Sequence, residues 1–92
     1  MIKTFARKGL ENFFSRGLKK GINPQQADRI LRILDRLEGA VTAADMNLPG
    51  YGFHELTGDR KGTYSVKVSG NWRITFRFKG GNAFDVNLED YH

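Results

Sequence analysis

Alternation of apolar and polar residues through the second half of the chain leaves it the fewest structural choices. Tyr64, Val66 and Val68 alternate with Ser65 and Lys67; Trp72, Ile74, Phe76 and Phe78 alternate with Arg73, Thr75, Arg77 and Lys79; Phe84, Val86 and Leu88 alternate with Asp85, Asn87 and Glu89. A period of two is that of a strand with one face buried and the other wet. The breaks at Ser69-Gly70-Asn71 and Gly80-Gly81-Asn82 are rich in residues that tolerate positive φ, so the three strands predict two successive antiparallel hairpins.

Register decides what such a sheet presents, because a slip of one residue turns every side chain to the opposite face. With three residues in each loop, Val68 faces Trp72, Val66 faces Ile74 and Tyr64 faces Phe76, while Phe78 faces Phe84, Phe76 faces Val86 and Ile74 faces Leu88. A two-residue first loop would place Lys67 on the core face, with an uncompensated cost for burying its ammonium. The first register is therefore expected. It leaves a second face with Lys67 beside Arg73, Ser65 beside Thr75, Arg77 beside Asp85 and Arg73 beside Glu89. A further strand within Tyr51 to Leu56 would bring His54 near Ser65 on that same face.

The first half has a helical period. Leu10, Phe13 and Phe14 share one face of a short helix from Arg7 to Arg16, and Gly17 is a plausible stop. Asn23-Pro24-Gln25-Gln26 reads as a second start, with Asn23 capping, Pro24 in the first helical position and Gln26 reaching back to the cap. Ala27, Ile30, Leu31, Leu34 and Leu37 then form an apolar stripe that Gly39 ends. Arg29, Arg32 and Arg36 occupy its other faces, as solvated residues or as binding groups. Val41 to Met46 can add one helical turn, and Leu48-Pro49-Gly50 marks the turn into the sheet. The fold class expected is α+β, a helical hairpin packed on a mainly antiparallel sheet.

At 92 residues the chain has room for one core, so residues 1–92 are expected to form a single domain. It contains no cysteine, which excludes a disulfide framework and thiolate metal sites, and its two histidines make a poor metal set. No apolar run approaches the roughly 18 residues of a membrane span, and no signal-peptide core follows Met1, so a soluble cytoplasmic protein without a membrane partner is expected. A net charge of +5 favours an acidic partner such as RNA, DNA or an acidic protein segment, although small proteins also carry such a surplus for solubility.

The polar face holds the elements of a metal-free ribonuclease. Such an enzyme needs a base for the 2′-hydroxyl, an acid for the leaving 5′-oxygen and cations for the charge that builds on phosphate. His54 or His92 can serve as acid or base, Asp90 can orient an imidazole, and Arg73 with Lys67 or Arg77 can hold the phosphate. Tyr91 can stack on a base or hydrogen-bond to the phosphate. Each has an ordinary alternative: a surface histidine, a frayed terminus, an Arg73–Glu89 cross-strand pair, or solvated cations that protect a sheet from aggregation. A non-catalytic RNA-binding module or a protein-interaction domain would use the same basic face.

Phe53-His54-Glu55-Leu56, Gly58-Asp59-Arg60-Lys61-Gly62, Tyr64-Ser65-Val66-Lys67-Val68, Asn71-Trp72-Arg73-Ile74-Thr75-Phe76 and Asp90-Tyr91-His92, in that order, resemble the HigB branch of the RelE/ParE toxin superfamily. The resemblance covers nearly the whole chain. It implies the RelE-like fold, with an added N-terminal strand at Ile2 to Phe5. It also implies a ribosome-dependent endoribonuclease that cuts messenger RNA in the aminoacyl site of the 70S ribosome without a metal or other cofactor. By position His54, Arg73, Asp90, Tyr91 and His92 match the family's active residues. Thr57 stands where some relatives carry lysine, which leaves Arg60 and Lys61 as the RNA-binding cations of that loop. The implied partner is a HigA-type helix-turn-helix antitoxin, through which the pair would bind operator DNA.

Overall fold

The computed structural model describes residues 1–90. Two helices, α1 (Lys8–Arg16) and α2 (Ala27–Gly39), precede the strands β1 (His54–Glu55), β2 (Thr63–Ser69), β3 (Trp72–Lys79) and β4 (Asn82–Asp90). The strands form one antiparallel sheet in the order β1-β2-β3-β4. The α+β class read from the sequence is the one observed.

The helices end where backbone chemistry requires. Arg7 is the extended N-cap of α1, and Gly17 closes it at φ 70°, where a residue without Cβ carries no steric penalty; its amide donates to Phe13 O at 3.0 Å. Helix α2 starts later than its sequence signal. Asn23 does accept from the Gln25 amide at 2.9 Å, but in a turn ahead of the α-helix. Gln26 does not return to a cap: its Nε2 donates to Ser69 Oγ at 2.8 Å, tying the helix start to the end of β2. Leu31, placed in the apolar stripe by its spacing, is exposed, and Ile33 is buried in its stead. The stripe is thus rotated toward the i+3 side of Ile30. Residues Ala43–Met46 form a 3-10 turn, with Thr42 and Asp45 in a reciprocal capping box.

The core lies between helices and sheet. Leu10, Ile30, Ile33, Leu34 and Leu37 from the helices meet Val66, Ile74, Phe76 and Val86 from the strands, with Met46 beneath. The N-terminal segment runs beside β4 as two isolated parallel bridges, Ile2 to Ala83 and Phe5 to Val86, where a strand over Ile2 to Phe5 was expected.

The pairing of Val66 with Ile74, Tyr64 with Phe76 and Ile74 with Leu88 is as read from the sequence. Both hairpin loops, however, are shorter by one residue than expected, Gly70-Asn71 and Gly80-Gly81, and each hairpin recovers the apolar register through an irregularity. In the first, Ser69 pairs with Trp72 and Val68 is bulged, so Lys67 still faces Arg73. In the second, Arg77 pairs with Phe84 and Phe78 with Ala83; the expected pairs Phe78 with Phe84 and Arg77 with Asp85 do not form. A bulge absorbs one residue without reversing the faces beyond it.

Phe76 is fully buried at the crossing of core and bulge and packs against Tyr64 and Phe78. Phe76→Ala should lower stability by about 3–5 kcal/mol, as for other large buried aromatics. The shift of the urea midpoint at unchanged slope measures it; a loss under about 1 kcal/mol would mean that the site collapses around the smaller side chain.

Candidate active site

The open face of the sheet, away from the helices, is built in rows across the strands. One row joins His54, Ser65, Thr75 and Asn87. The next joins Lys67, Arg73 and Glu89, and on the other side of the first stand Thr63, Arg77 and Phe84. His54, Lys67, Arg73 and Arg77 therefore share a face, as the register expected from the sequence requires. The floor of this face is not open: Ser65 and Thr75 are buried beneath the longer side chains. Ser65 Oγ has no hydrogen bond among the described residues.

His54 is exposed, and its Nδ1 lies 3.1 Å from Gly52 O. A carbonyl can only accept, so Nδ1 donates to it, and of the two neutral tautomers this is the one with its lone pair on Nε2. Gly52 has φ 56°, and a Cβ there would lie 3.7 Å from Lys67 Cβ and 3.9 Å from Arg73 Nη1. Those are ordinary van der Waals distances, so the positive φ and not crowding favours glycine here, while the half-buried Arg73 guanidinium lies against the loop that carries His54.

That loop is fixed from below. The Lys67 amide donates to Tyr51 O at 2.6 Å. Arg29 of α2 reaches across to donate to Gly50 O at 2.9 Å and Lys67 O at 3.0 Å, with its guanidinium 4.8 Å from the centre of the Tyr51 ring. Arg29 is therefore an anchor between helix, loop and sheet, a role its position on a polar helix face did not disclose.

Glu89, which the sequence offered as a cross-strand partner of Arg73, is engaged elsewhere. Its carboxylate accepts two hydrogen bonds from Arg60, at 2.8 and 2.6 Å, and a third from the Thr75 hydroxyl. Arg60 belongs to a 3-10 turn, Gly58–Arg60, so this bidentate pair pins the turn to β4. Arg60 was expected among the RNA-binding cations; in this structure its guanidinium is engaged by Glu89, and Glu89, the register neighbour of Arg73, takes Arg60 as its ion-pair partner. The hydrogen bonds from Arg60 hold the Glu89 carboxyl below the ordinary glutamate value, against the opposing effect of partial burial. Lys61, beside Arg60, is exposed.

Asp90 ends β4 opposite Trp72, so by alternation it belongs with the rows of the other face and not with the Arg73–Glu89 row, and at the strand end it is exposed. Tyr91 and His92, which the sequence marks as site residues, lie outside the described residues. Among the described residues no group of three or more His, Asp or Glu side chains is placed to hold a metal ion, and no helix is long and apolar enough to cross a membrane.

A sequence profile of the RelE-like toxins of type II toxin-antitoxin systems, HigB, matches residues 3–92. The chain belongs to the HigB-like toxins. It is 44% identical over 92 residues, the whole of both chains, to a protein of Proteus vulgaris named Endoribonuclease HigB. It is 29% identical to Toxin HigB-1 of Vibrio cholerae serotype O1, over 99% of this chain and 98% of that one. As a type II HigB-like toxin it has a cognate antitoxin.

The lowered Glu89 value carries a pH dependence. Because the folded value lies below the ordinary 4.5, the Arg60–Glu89 pair contributes its stability fully above about pH 4.5 and loses it as the pH falls through the folded value. Glu89→Gln should therefore have the lower thermal midpoint near neutrality and a shallower decline in acid, so that the two curves converge as the pH falls through the lowered value of Glu89. Parallel curves would show that the pair does not contribute to folding.

Proposed function

We propose that this HigB-like toxin is a metal-independent endoribonuclease that cuts messenger RNA in the aminoacyl site of the translating ribosome and so stops translation in the cytoplasm. In this reading residues 1–92 act as one catalytic domain, silenced by a HigA-type helix-turn-helix antitoxin through which the pair binds operator DNA. The observation that carries it is the convergence of His54, Lys67 and Arg73 on adjacent rows of one face. The name of the Proteus vulgaris relative supplies the reaction class. His54 and Arg73 stand two strands and two residues apart, about 12 Å between backbones, a span that an RNA dinucleotide bridges.

The chemistry follows from what these groups can exchange. In the neutral ring whose Nδ1 donates to Gly52 O, His54 Nε2 carries the lone pair and takes the proton of a ribose 2′-hydroxyl. The 2′-oxygen attacks the adjacent phosphorus, a bond from phosphorus to the next 5′-oxygen breaks, and that oxygen receives a proton from His92, with Asp90 orienting the imidazole. The products are a 2′,3′-cyclic phosphate and a free 5′-hydroxyl. Arg73, with Lys67, neutralises the charge that grows on the phosphate, and Tyr91 stacks on a flanking base. Lys61 and Arg77 hold neighbouring phosphates, and Arg60 acts there only to the extent that RNA displaces Glu89 from it.

Primer extension on a translated messenger RNA with purified ribosomes tests this reading. The native protein should give new breaks at aminoacyl-site codons that require ribosomes. Arg73→Ala should reduce them by about a hundredfold to a thousandfold, as removal of a transition-state anion ligand does. A variant lacking Tyr91 and His92 should give none. The absence of breaks from a folded native protein would overturn the nuclease reading and leave a non-catalytic RNA-binding module. Unchanged cleavage by folded Arg73→Ala would remove Arg73 from the mechanism.

A further inference from the structure

The bulge in β4 has a consequence for the open face. Between the pairs Thr75 with Asn87 and Arg77 with Phe84, β3 advances by two residues and β4 by three. The extra residue is taken up around Asp85, whose φ of 53° is the one left-handed value among the described non-glycine residues. A regular ladder would set Asp85 beside Arg77 and turn Phe84 inward against Phe78. The bulge instead puts the small Ala83, fully buried, opposite Phe78 and brings Phe84 out beside Arg77. A bulge of this kind re-aims a side chain, and backbone strain of this kind gathers at functional positions.

What is re-aimed is an aromatic ring, set on a face otherwise built of cations and small polar groups. Phe84 remains only half-buried there. It borders an open depression of about 620 Å³ that Arg77, Lys79, Asp85 and Thr4 line together with two rings from the core-facing rows, Tyr64 and Phe78. The depression is held in shape from the chain start: Thr4 Oγ1 accepts from the Asp85 amide at 2.8 Å, and Thr4 O accepts from the Val86 amide at 3.1 Å. It thus combines a ring for stacking, two cations for a phosphate and a carboxylate that can accept from an exocyclic amine. Arg77 stands four residues along β3 from Arg73 on the same face, about 13 Å away.

We propose that this depression is a nucleotide subsite for single-stranded RNA: one base stacks on Phe84 while Arg77 and Lys79 bind the phosphate next to it. It is separate from the cluster around His54 and Arg73 and receives a nucleotide of the same strand, beyond the one being cut. The proposal rests on the reading of the open face as an RNA-cleaving face. Aromatic stacking is tolerant of base identity, so the subsite contributes affinity and fixes the strand's direction more than it selects a sequence.

Its test uses 2′-O-methyl oligoribonucleotides, which cannot be cut because the attacking hydroxyl is blocked. Affinities of a dinucleotide and a pentanucleotide for the native chain and for Phe84→Leu are measured by fluorescence anisotropy, with thermal midpoints to establish folding. The pentanucleotide should bind the native protein more tightly, and Phe84→Leu should weaken it by about tenfold while leaving the dinucleotide unchanged, the loss of one stacked base. Arg73→Ala should weaken both probes. Equal native affinity for the two lengths, or an unchanged pentanucleotide affinity in Phe84→Leu, overturns the subsite. So does a Phe84→Leu variant that keeps RNA affinity but loses binding of a polyglutamate peptide, since the depression would then serve an acidic protein partner. Ribosome-dependent cleavage by the native protein is scored separately, so a failed subsite with intact cleavage leaves the nuclease reading standing.

Discussion

The pairing of Trp72–Lys79 with the strands on either side is the constraint on which the rest of the structure depends. β3 is central, so its inward residues Ile74 and Phe76 are fixed by the helices above and by Val66, Leu88 and Val86 beside them. Once those side chains are inside, Arg73, Thr75 and Arg77 must be outside, because a strand has no other arrangement. The apolar core therefore positions the cationic face without any contact between cations having to do so. This matters energetically: exposed ion pairs contribute little to folding and cannot alone hold like charges together, whereas a buried aromatic contributes several kcal/mol.

Gathering cations in this way creates repulsion, and Glu89 offsets part of it. Glu89 lies in the Arg73 row and is satisfied threefold, by two bonds from Arg60 and one from Thr75. The same carboxylate thus lowers the local positive potential and fastens the Gly58–Arg60 turn to the sheet. Arg29 does comparable work from beneath the sheet, joining α2 to the backbone at Gly50 and Lys67. The loop bearing His54 is consequently held at both ends, by Arg29 near Tyr51 and by the pairing of His54 with Ser65. Such double support is what keeps a side chain on a loop within the narrow geometry that catalysis tolerates.

The parts of this arrangement that were legible in the sequence are those set by period. Alternation in β2, β3 and β4 specifies faces, and so the joint placement of Lys67 and Arg73 could be read from the sequence, whereas His54 joined them only on the condition that its own strand pairs near Ser65, as it does. The bulges could not. A three-residue loop and a two-residue loop with a bulge leave the same apolar pattern in the strand centres and differ only near the loops, at Val68 and at Phe84 and Asp85. Leu31 and Ile33 are both apolar and flank Arg32, and the i, i+3, i+4, i+7 series of Ile30, Ile33, Leu34 and Leu37 marks Ile33 as the inward one, so the stripe that took Leu31 was set a part-turn off. The Arg60–Glu89 pair joins residues 29 apart through a loop whose path no local signal defines.

Phe84 shows how such an error matters. Read by alternation, it is one more core residue, and Asp85 is one more surface charge beside Arg77. A single left-handed residue exchanges those roles, because a period of two makes each inserted residue a reversal for everything between the insertion and the loop. The N-terminal segment then stabilises the reversed stretch, with Thr4 supplying both its backbone carbonyl and its hydroxyl to the bulge. Core and open face are therefore coupled at this corner. Ala83 is small enough to pass beneath Phe78, and for that reason the aromatic ring beside it is available on the side where the cations lie.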